Sequence, residues 1–342
     1  MTLVVVDADV LGRERTGDET YVRNVLRELP GPAARAGLRI AALTRRPERV
    51  PAGVEAIELR ARSQELRMAW TLPRALRRLG ASLVHTQYAI PLRCPCPAVV
   101  TIHDLSFEHG STLMATRDRL VFKRVVPRAA RGAARVLTVS ERTKRDLVEL
   151  YGLPPDHVVV THNGVDPAFA PDGPRDTVSQ ASFALAVGAI QPRKRQLAAL
   201  AAAREVGLEL VVVGPVKDER LAGELRAGGA RLEGYVETER LAELYRGAAC
   251  LVQPSRHEGF GLPVVEAMAS GTPVVMVPEP ALLEVAGDAA VVVAEERLAD
   301  GIRVAIAERE RLVDAGLERA RAFSWAWTAE ETVRVYLEAL GR

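Results

Sequence analysis

Glu258 and Glu266 stand eight residues apart in a run that opens Glu258-Gly259-Phe260-Gly261-Leu262-Pro263 and closes Ser270-Gly271-Thr272-Pro273. An ionised carboxylate only accepts hydrogen bonds, which suits it to gripping hydroxyl groups. Pro263 pre-sets φ for a first helical turn and Gly271 is a natural stop, so the second glutamate is predicted to ride on a short helix. The start of that helix offers backbone N–H groups to a phosphate. Hydroxyl and phosphate recognition in one unit points to a sugar nucleotide. Two carboxylates bracketing a Gly-Pro-broken turn are hard to explain by fold alone.

Three further groups carry candidate chemistry. In Val187-Gly188-Ala189-Ile190-Gln191-Pro192-Arg193-Lys194, a strand ending in glycine runs into a basic pair. A planar guanidinium and a compact ammonium there suit a diphosphate, the alternative being a solvated surface pair. His103-Asp104 follows the apolar run Ala98–Ile102, where an imidazole can donate to or accept from a sugar or phosphate oxygen. The alternative for this pair is a turn cap. The loop from Leu11 to Tyr21, with Gly12 and Gly17, lets backbone approach a ligand. Asp7-Ala8-Asp9 spells the pattern of metal-dependent sugar transfer, but it ends the first strand without a partner ligand, and we read it as structural.

The elements that must position these residues alternate along the chain. Val4–Val6, Ile40–Leu43, Leu83–His85, Ala98–Ile102 and Val136–Val139 read as buried parallel strands. Helices are expected between them over Tyr21–Leu29, Glu65–Leu79, Arg117–Arg131 and Glu141–Leu150, the last capped by Ser140. The cycle restarts with Ala184–Val187, Leu210–Val213, Cys250–Gln253 and Val274–Val277. Between the two series lies a turn-rich linker, Asn163 to Pro174. The pattern predicts two doubly wound α/β domains with a ligand cleft at the strands' carboxyl ends. The boundaries are 1–168, 169–322 and a terminal helix over 323–342 that begins near Ser324-Trp325.

At 342 residues the chain exceeds one ordinary core. A composition 48% hydrophobic and 26% charged excludes disorder, and no apolar run reaches membrane-spanning length. The start Met1–Asp7 reads as a strand rather than a signal peptide, so a cytoplasmic setting is expected. Cys94, Cys96 and Cys250 supply neither a disulfide framework nor a zinc site. Net charge is +2, yet residues 1–168 hold 26 basic against 18 acidic side chains. That bias, with the basic apolar stretch Arg117–Arg128, suggests peripheral contact with an anionic membrane on its inner face. The alternative is a packed helix with solvated arginines.

Across nearly its whole length the chain resembles the retaining family 4 glycosyltransferases of GT-B fold. The resemblance is carried by Thr101-Ile102-His103-Asp104-Leu105, Thr138-Val139-Ser140-Glu141, Asn163-Gly164-Val165-Asp166, Pro192-Arg193-Lys194, Gly234-Tyr235-Val236, Pro254-Ser255, the Glu258–Thr272 block and Phe323-Ser324-Trp325. It implies two Rossmann-like domains facing across a cleft, the first binding acceptor and the second binding the nucleotide sugar. It also implies a terminal helix that crosses back to the first domain.

Position by position, the resemblance puts Glu258 on the donor sugar's hydroxyls and Glu266 on the ribose. Backbone of Gly259, Phe260, Gly261 and Leu262 would surround the sugar and diphosphate. Arg193 and Lys194 would neutralise the diphosphate, Val236 would meet the base, His103 would lie against the transferred sugar, and Gly17 and Gly188 would approach the donor. The implied reaction moves a hexose, of mannose or glucose type, to a glycan, lipid or small-molecule acceptor. It needs no cofactor beyond the donor and no metal, because arginine and lysine take the metal's place. Nucleic acid is not an expected partner. Two departures stand out: Ala189 follows Gly188 where many relatives have arginine, and Glu19 replaces a second loop glycine. The competing expectations are a nucleotide-sugar epimerase on the same fold and a non-catalytic sugar-binding protein.

Overall fold

The computed structural model describes residues 1–13, 16–61, 63–109, 116–176 and 182–342, together with the backbone alone of residues 16 and 116–118. The part of the first loop at Glu14 and Arg15, and the Arg117 and Asp118 side chains of the basic stretch, lie outside the described residues. The chain divides into two compact units, Met1–Gly164 with Trp325–Arg342, and Val165–Ser324.

Unit one is built on seven parallel strands: β1 (Thr2–Asp7), β2 (Leu38–Thr44), β3 (Glu55–Glu58), β4 (Leu83–Gln87), β5 (Ala98–Ile102), β6 (Arg135–Thr138) and β7 (Val158–Val160). Their order across the sheet is β3-β2-β1-β4-β5-β6-β7, the doubly wound arrangement. The interior strands are buried on both faces, which is why they read as continuous apolar runs. Leu3, Val5, Leu72 and Leu76 fill one side of the sheet, while Val100, Ile102, Val126 and Leu147 fill another cluster. Ser140 caps the helix Glu141–Tyr151 as expected, accepting from the Thr143 amide at 3.1 Å.

The helix Thr16–Glu28 buries Tyr21, Val22, Val25 and Leu26 along one stripe. The expected helix over 65–79 contains a widened turn at Arg67–Thr71. There the fully buried Arg67 turns inward and donates to Asp7, with one bond at 2.8 Å, while Asp9 receives Arg45 at 2.8 and 2.9 Å. The Asp7-Ala8-Asp9 carboxylates are thus bound by guanidinium groups, and the structural reading describes them.

The last helix, Trp325–Ala339, packs against Thr16–Glu28 within unit one. Its Thr328 hydroxyl donates to the His162 carbonyl at 2.6 Å, and Glu338 pairs with Arg135 at 3.2 Å.

Unit two repeats the design with six parallel strands: β8 (Phe183–Val187), β9 (Glu209–Val213), β10 (Arg231–Gly234), β11 (Cys250–Gln253), β12 (Val274–Met276) and β13 (Val291–Val292). The order is β10-β9-β8-β11-β12-β13. The four strands that the sequence did not reveal, β3, β7, β10 and β13, are the four edges. Edge strands are short and partly solvated, so they lack the apolar run that marks a central strand. No helix among the described residues is long and apolar enough to cross a membrane.

Candidate functional site

In unit two the predicted basic pair and Glu258 meet at the carboxyl ends of β8 and β11. After β8, Gly188 adopts φ +133°, and a Cβ there would sit 3.0 Å from Lys194 Cε. Only glycine fits that backbone beside the lysine. Pro192–Lys194 forms a single tight turn, leaving Lys194 buried rather than solvated. Its Nζ donates to Glu258 Oε1 at 2.6 Å, and Gln253 Nε2 donates to the same oxygen at 2.7 Å. Arg193 Nη1 donates to the His257 carbonyl at 2.7 Å and reaches Glu258 Oε2 at 3.4 Å.

Burial alone would push the Glu258 carboxyl up. The adjacent Lys194 and Arg193 charges outweigh it and bring the group down to about 2, so it is ionised at neutral pH.

The helix carrying the second glutamate runs Leu262–Ala269, with Pro263 in its first turn and Gly271 at φ +70° beyond its end, as the sequence predicts. Gly261 caps it at φ +111°, where a Cβ would fall 2.7 Å from Leu282. Glu266 is buried and accepts from the Tyr245 hydroxyl at 2.9 Å. Burial pushes its carboxyl up to about 7, Tyr245 opposes the shift and Asp166 adds to it. The two glutamates therefore differ in charge state: one is locked as an anion, the other titrates near neutrality. Val236 lies part-buried in the loop after β10, and Phe260 is buried with its ring edge-on to Phe323.

The sequence reasoning missed Gln253, a polar end to an otherwise apolar strand, and Glu279. The Glu279 carboxylate caps the helix Pro280–Ala286, accepting from Ala281 at 2.8 Å and Leu282 at 3.1 Å. Burial pushes it up to about 7, against hydrogen bonds from the Leu282, Glu258 and Ala281 amides. A glutamate directly before Pro280 was the available signal.

In unit one His103 follows β5 directly, buried between the rings of Tyr21 (4.8 Å, edge-on) and Tyr88 (5.7 Å). Its Nε2 has no hydrogen-bond partner among the described residues, and Asp18 stands 4.0 Å away. Burial lowers its pKa against the pull of Asp18 and Asp104, keeping the imidazole neutral. Asp104 serves the turn, accepting from the Ser106 amide at 3.0 Å and hydroxyl at 2.9 Å. Gly17 lies exposed in the first turn of Thr16–Glu28, in unit one, whereas the other residues expected at the donor belong to unit two. Glu19 accepts from the Gly12 amide at 2.7 Å, so this carboxylate closes the loop.

Two doubly wound parallel sheets, each with its polar residues at the strand ends, define the GT-B class of glycosyltransferase fold. The sucrose-phosphate synthase of Thermosynechococcus elongatus superposes with a TM-score of 0.79 at 19% identity, covering 100% of both chains. The profile described as Glycosyltransferase Family 4 matches residues 15–169, and that of Glycosyl transferases group 1 matches residues 175–321.

The O-antigen chain mannosyltransferase B of Escherichia coli is 30% identical over 267 residues, 70% of each chain. A D-inositol 3-phosphate glycosyltransferase of Frankia alni is 29% identical over 305 residues, 75% of this chain and 74% of that one. The chain belongs to the family 4 glycosyltransferases.

Proposed function

We propose that this glycosyltransferase moves a hexose from a nucleotide-diphosphate sugar to a glycan, lipid or small-molecule acceptor, with retention and without a metal ion. The observation that carries the reading is the buried cluster of Lys194 and Arg193 on Glu258. Two cations converge on one firmly ionised carboxylate in a buried setting, an arrangement that suits an arriving diphosphate. Glu258 takes the sugar's hydroxyls, Glu266 the ribose diol, the backbone of Gly259–Leu262 the sugar and diphosphate, and Val236 the base. Gly188 and Gly17 allow close backbone approach. A mannose-type donor is favoured by what the E. coli relative is named for.

In this reading the acceptor hydroxyl attacks the anomeric carbon on the face from which the diphosphate departs. The new glycosidic C–O bond forms as the sugar–phosphate bond breaks, and a leaving phosphate oxygen takes the acceptor's proton. Catalysis by the protein is electrostatic: Arg193 and Lys194 stabilise the charge growing on the diphosphate, a contribution that exceeds their grip on the ground state. Neutral His103 lies against the transferred sugar and orients it. Residues 1–168 serve the acceptor and 169–322 the donor. The helix Thr116–Gly132 gives unit one a peripheral contact with anionic lipid.

The test is incubation with a panel of UDP-, GDP- and ADP-sugars, reading donor hydrolysis and thermal shift together. Glu258→Ala and Lys194→Ala are each expected to cut transfer by about 10²-fold or more with the circular dichroism unchanged. Wild-type turnover in both would overturn the site assignment, and an epimerised donor without acceptor product would turn the reading to epimerisation.

A further inference from the structure

Unit one contains a buried polar chain that the proposed chemistry does not use. His85 on β4 has no solvent exposure, and both of its ring nitrogens are engaged: Nδ1 lies 2.6 Å from the Tyr336 hydroxyl and Nε2 lies 2.7 Å from Thr101 Oγ1. Thr101 in turn lies 3.1 Å from the Tyr21 hydroxyl. All four side chains are essentially inaccessible. Tyr21 then presents its ring edge-on to His103, and Trp325 also meets the Tyr21 ring edge-on at 6.1 Å.

Burial drives His85 down to about 3. The His85 ring is therefore neutral, with one N–H and one lone pair. One nitrogen must donate and the other accept, so the Tyr336 and Thr101 hydroxyls take opposite roles on the two sides of the ring. Either hydroxyl of the Thr101–Tyr21 link can be the donor. Buried polar chains of this kind fix one geometry when fully satisfied, because each broken link strands a desolvated partner. His103, by contrast, has no hydrogen bond at Nε2 among the described residues. Two aromatic rings face its imidazole.

We infer that Tyr21 is the positioning residue for His103, and that the helix Trp325–Ala339 sets Tyr21 through Tyr336, His85 and Thr101. Tyr21 touches no reacting atom in this account; it acts by holding the imidazole's plane. The catalytic consequence rests on the role proposed for His103, so the experiment reads His103 itself as well as turnover.

Imidazole NMR signals of isotope-labelled protein, with His103 assigned through His103→Asn, are compared in wild type, Tyr21→Phe, Tyr336→Phe and the double variant. Each single variant keeps its ring and loses only a hydroxyl. The expected result is a displaced His103 signal in both singles. For the donor that turns over in the sugar-nucleotide panel, kcat falls about three- to tenfold and donor KM changes less than twofold. The double variant is expected to be no worse than the poorer single, since both cut the same tether.

A His103 signal unmoved in both natively folded singles overturns the inference. Losses that multiply in the double variant also overturn it, because they mark two independent packing defects. Full transfer by His103→Asn would remove the role of His103 in the reaction, and the NMR comparison would still decide the positioning.

Discussion

At Glu266 the charge state bears directly on the ribose contact proposed for it. Its carboxyl titrates at about 7 in the folded chain because burial outweighs the Tyr245 hydrogen bond. An unperturbed glutamate titrates at about 4.3, so the folded state binds the proton more tightly than the unfolded one. The resulting stability is full below the unfolded value and is lost as pH rises through about 7. The proposed ribose recognition runs the opposite way, since the ionised form is the one free to accept from both hydroxyls of a diol. Binding of the nucleoside diphosphate whose sugar turns over in the donor panel is therefore expected to tighten severalfold between pH 6 and pH 8 and to release a proton. Calorimetry in two buffers of different ionisation enthalpy measures both. Glu266→Gln is expected to abolish the component of proton release centred near 7 and to flatten the affinity profile. A dependence on pH unchanged in that variant would transfer the effect to Glu279, which burial holds near the same value.

At the scale of elements, the helix Thr116–Gly132 sets exposed Leu120, Val121 and Val125 on one face with Arg124 and Arg128. Its opposite face buries Val126, Ala129 and Ala130. If that outer face meets lipid, the protein sediments with phosphatidylserine-containing vesicles at low salt and is released as salt screens the arginines. Arg124→Glu with Arg128→Glu should reduce binding at least tenfold, and absence of binding by the wild type at low salt disposes of the contact.

How much was legible varied by element in the same physical way. The central strands and the Pro263-to-Gly271 helix could be read because burial on two faces and special backbone angles restrict residue type. The edge strands could not, since half-solvated positions such as Glu55 and Arg231 accept almost anything. Within the candidate site, spacing drew attention to Glu258, Glu266, Lys194 and Arg193, and the structure joins Lys194 and Arg193 to Glu258. Gln253 and Tyr245 stayed hidden there, as did His85 outside the site, because a buried polar residue becomes informative only once its partner is known.

For the whole molecule, the decisive property is that one unit is continuous and the other is not. Val165–Ser324 is a single stretch, whereas Met1–Gly164 is completed by Trp325–Arg342. The isolated segment 165–324 is expected to fold cooperatively, as followed by circular dichroism and protease resistance. The segment 1–164 alone should behave as a loosened state, because Tyr21 and His85 lose the cover and hydrogen bonds of the last helix. Equal protease resistance in the two fragments would count against that division. The same topology orders events during synthesis. The first 164 residues leave the ribosome without their closing helix, and the whole second unit is made before that helix appears. At about 5–20 residues per second, unit one waits on the order of ten to several tens of seconds with the Tyr21 face open. The helix that Thr16–Glu28 packs against is thus made only after the whole second unit, and chaperone demand during translation should fall on the amino-terminal half.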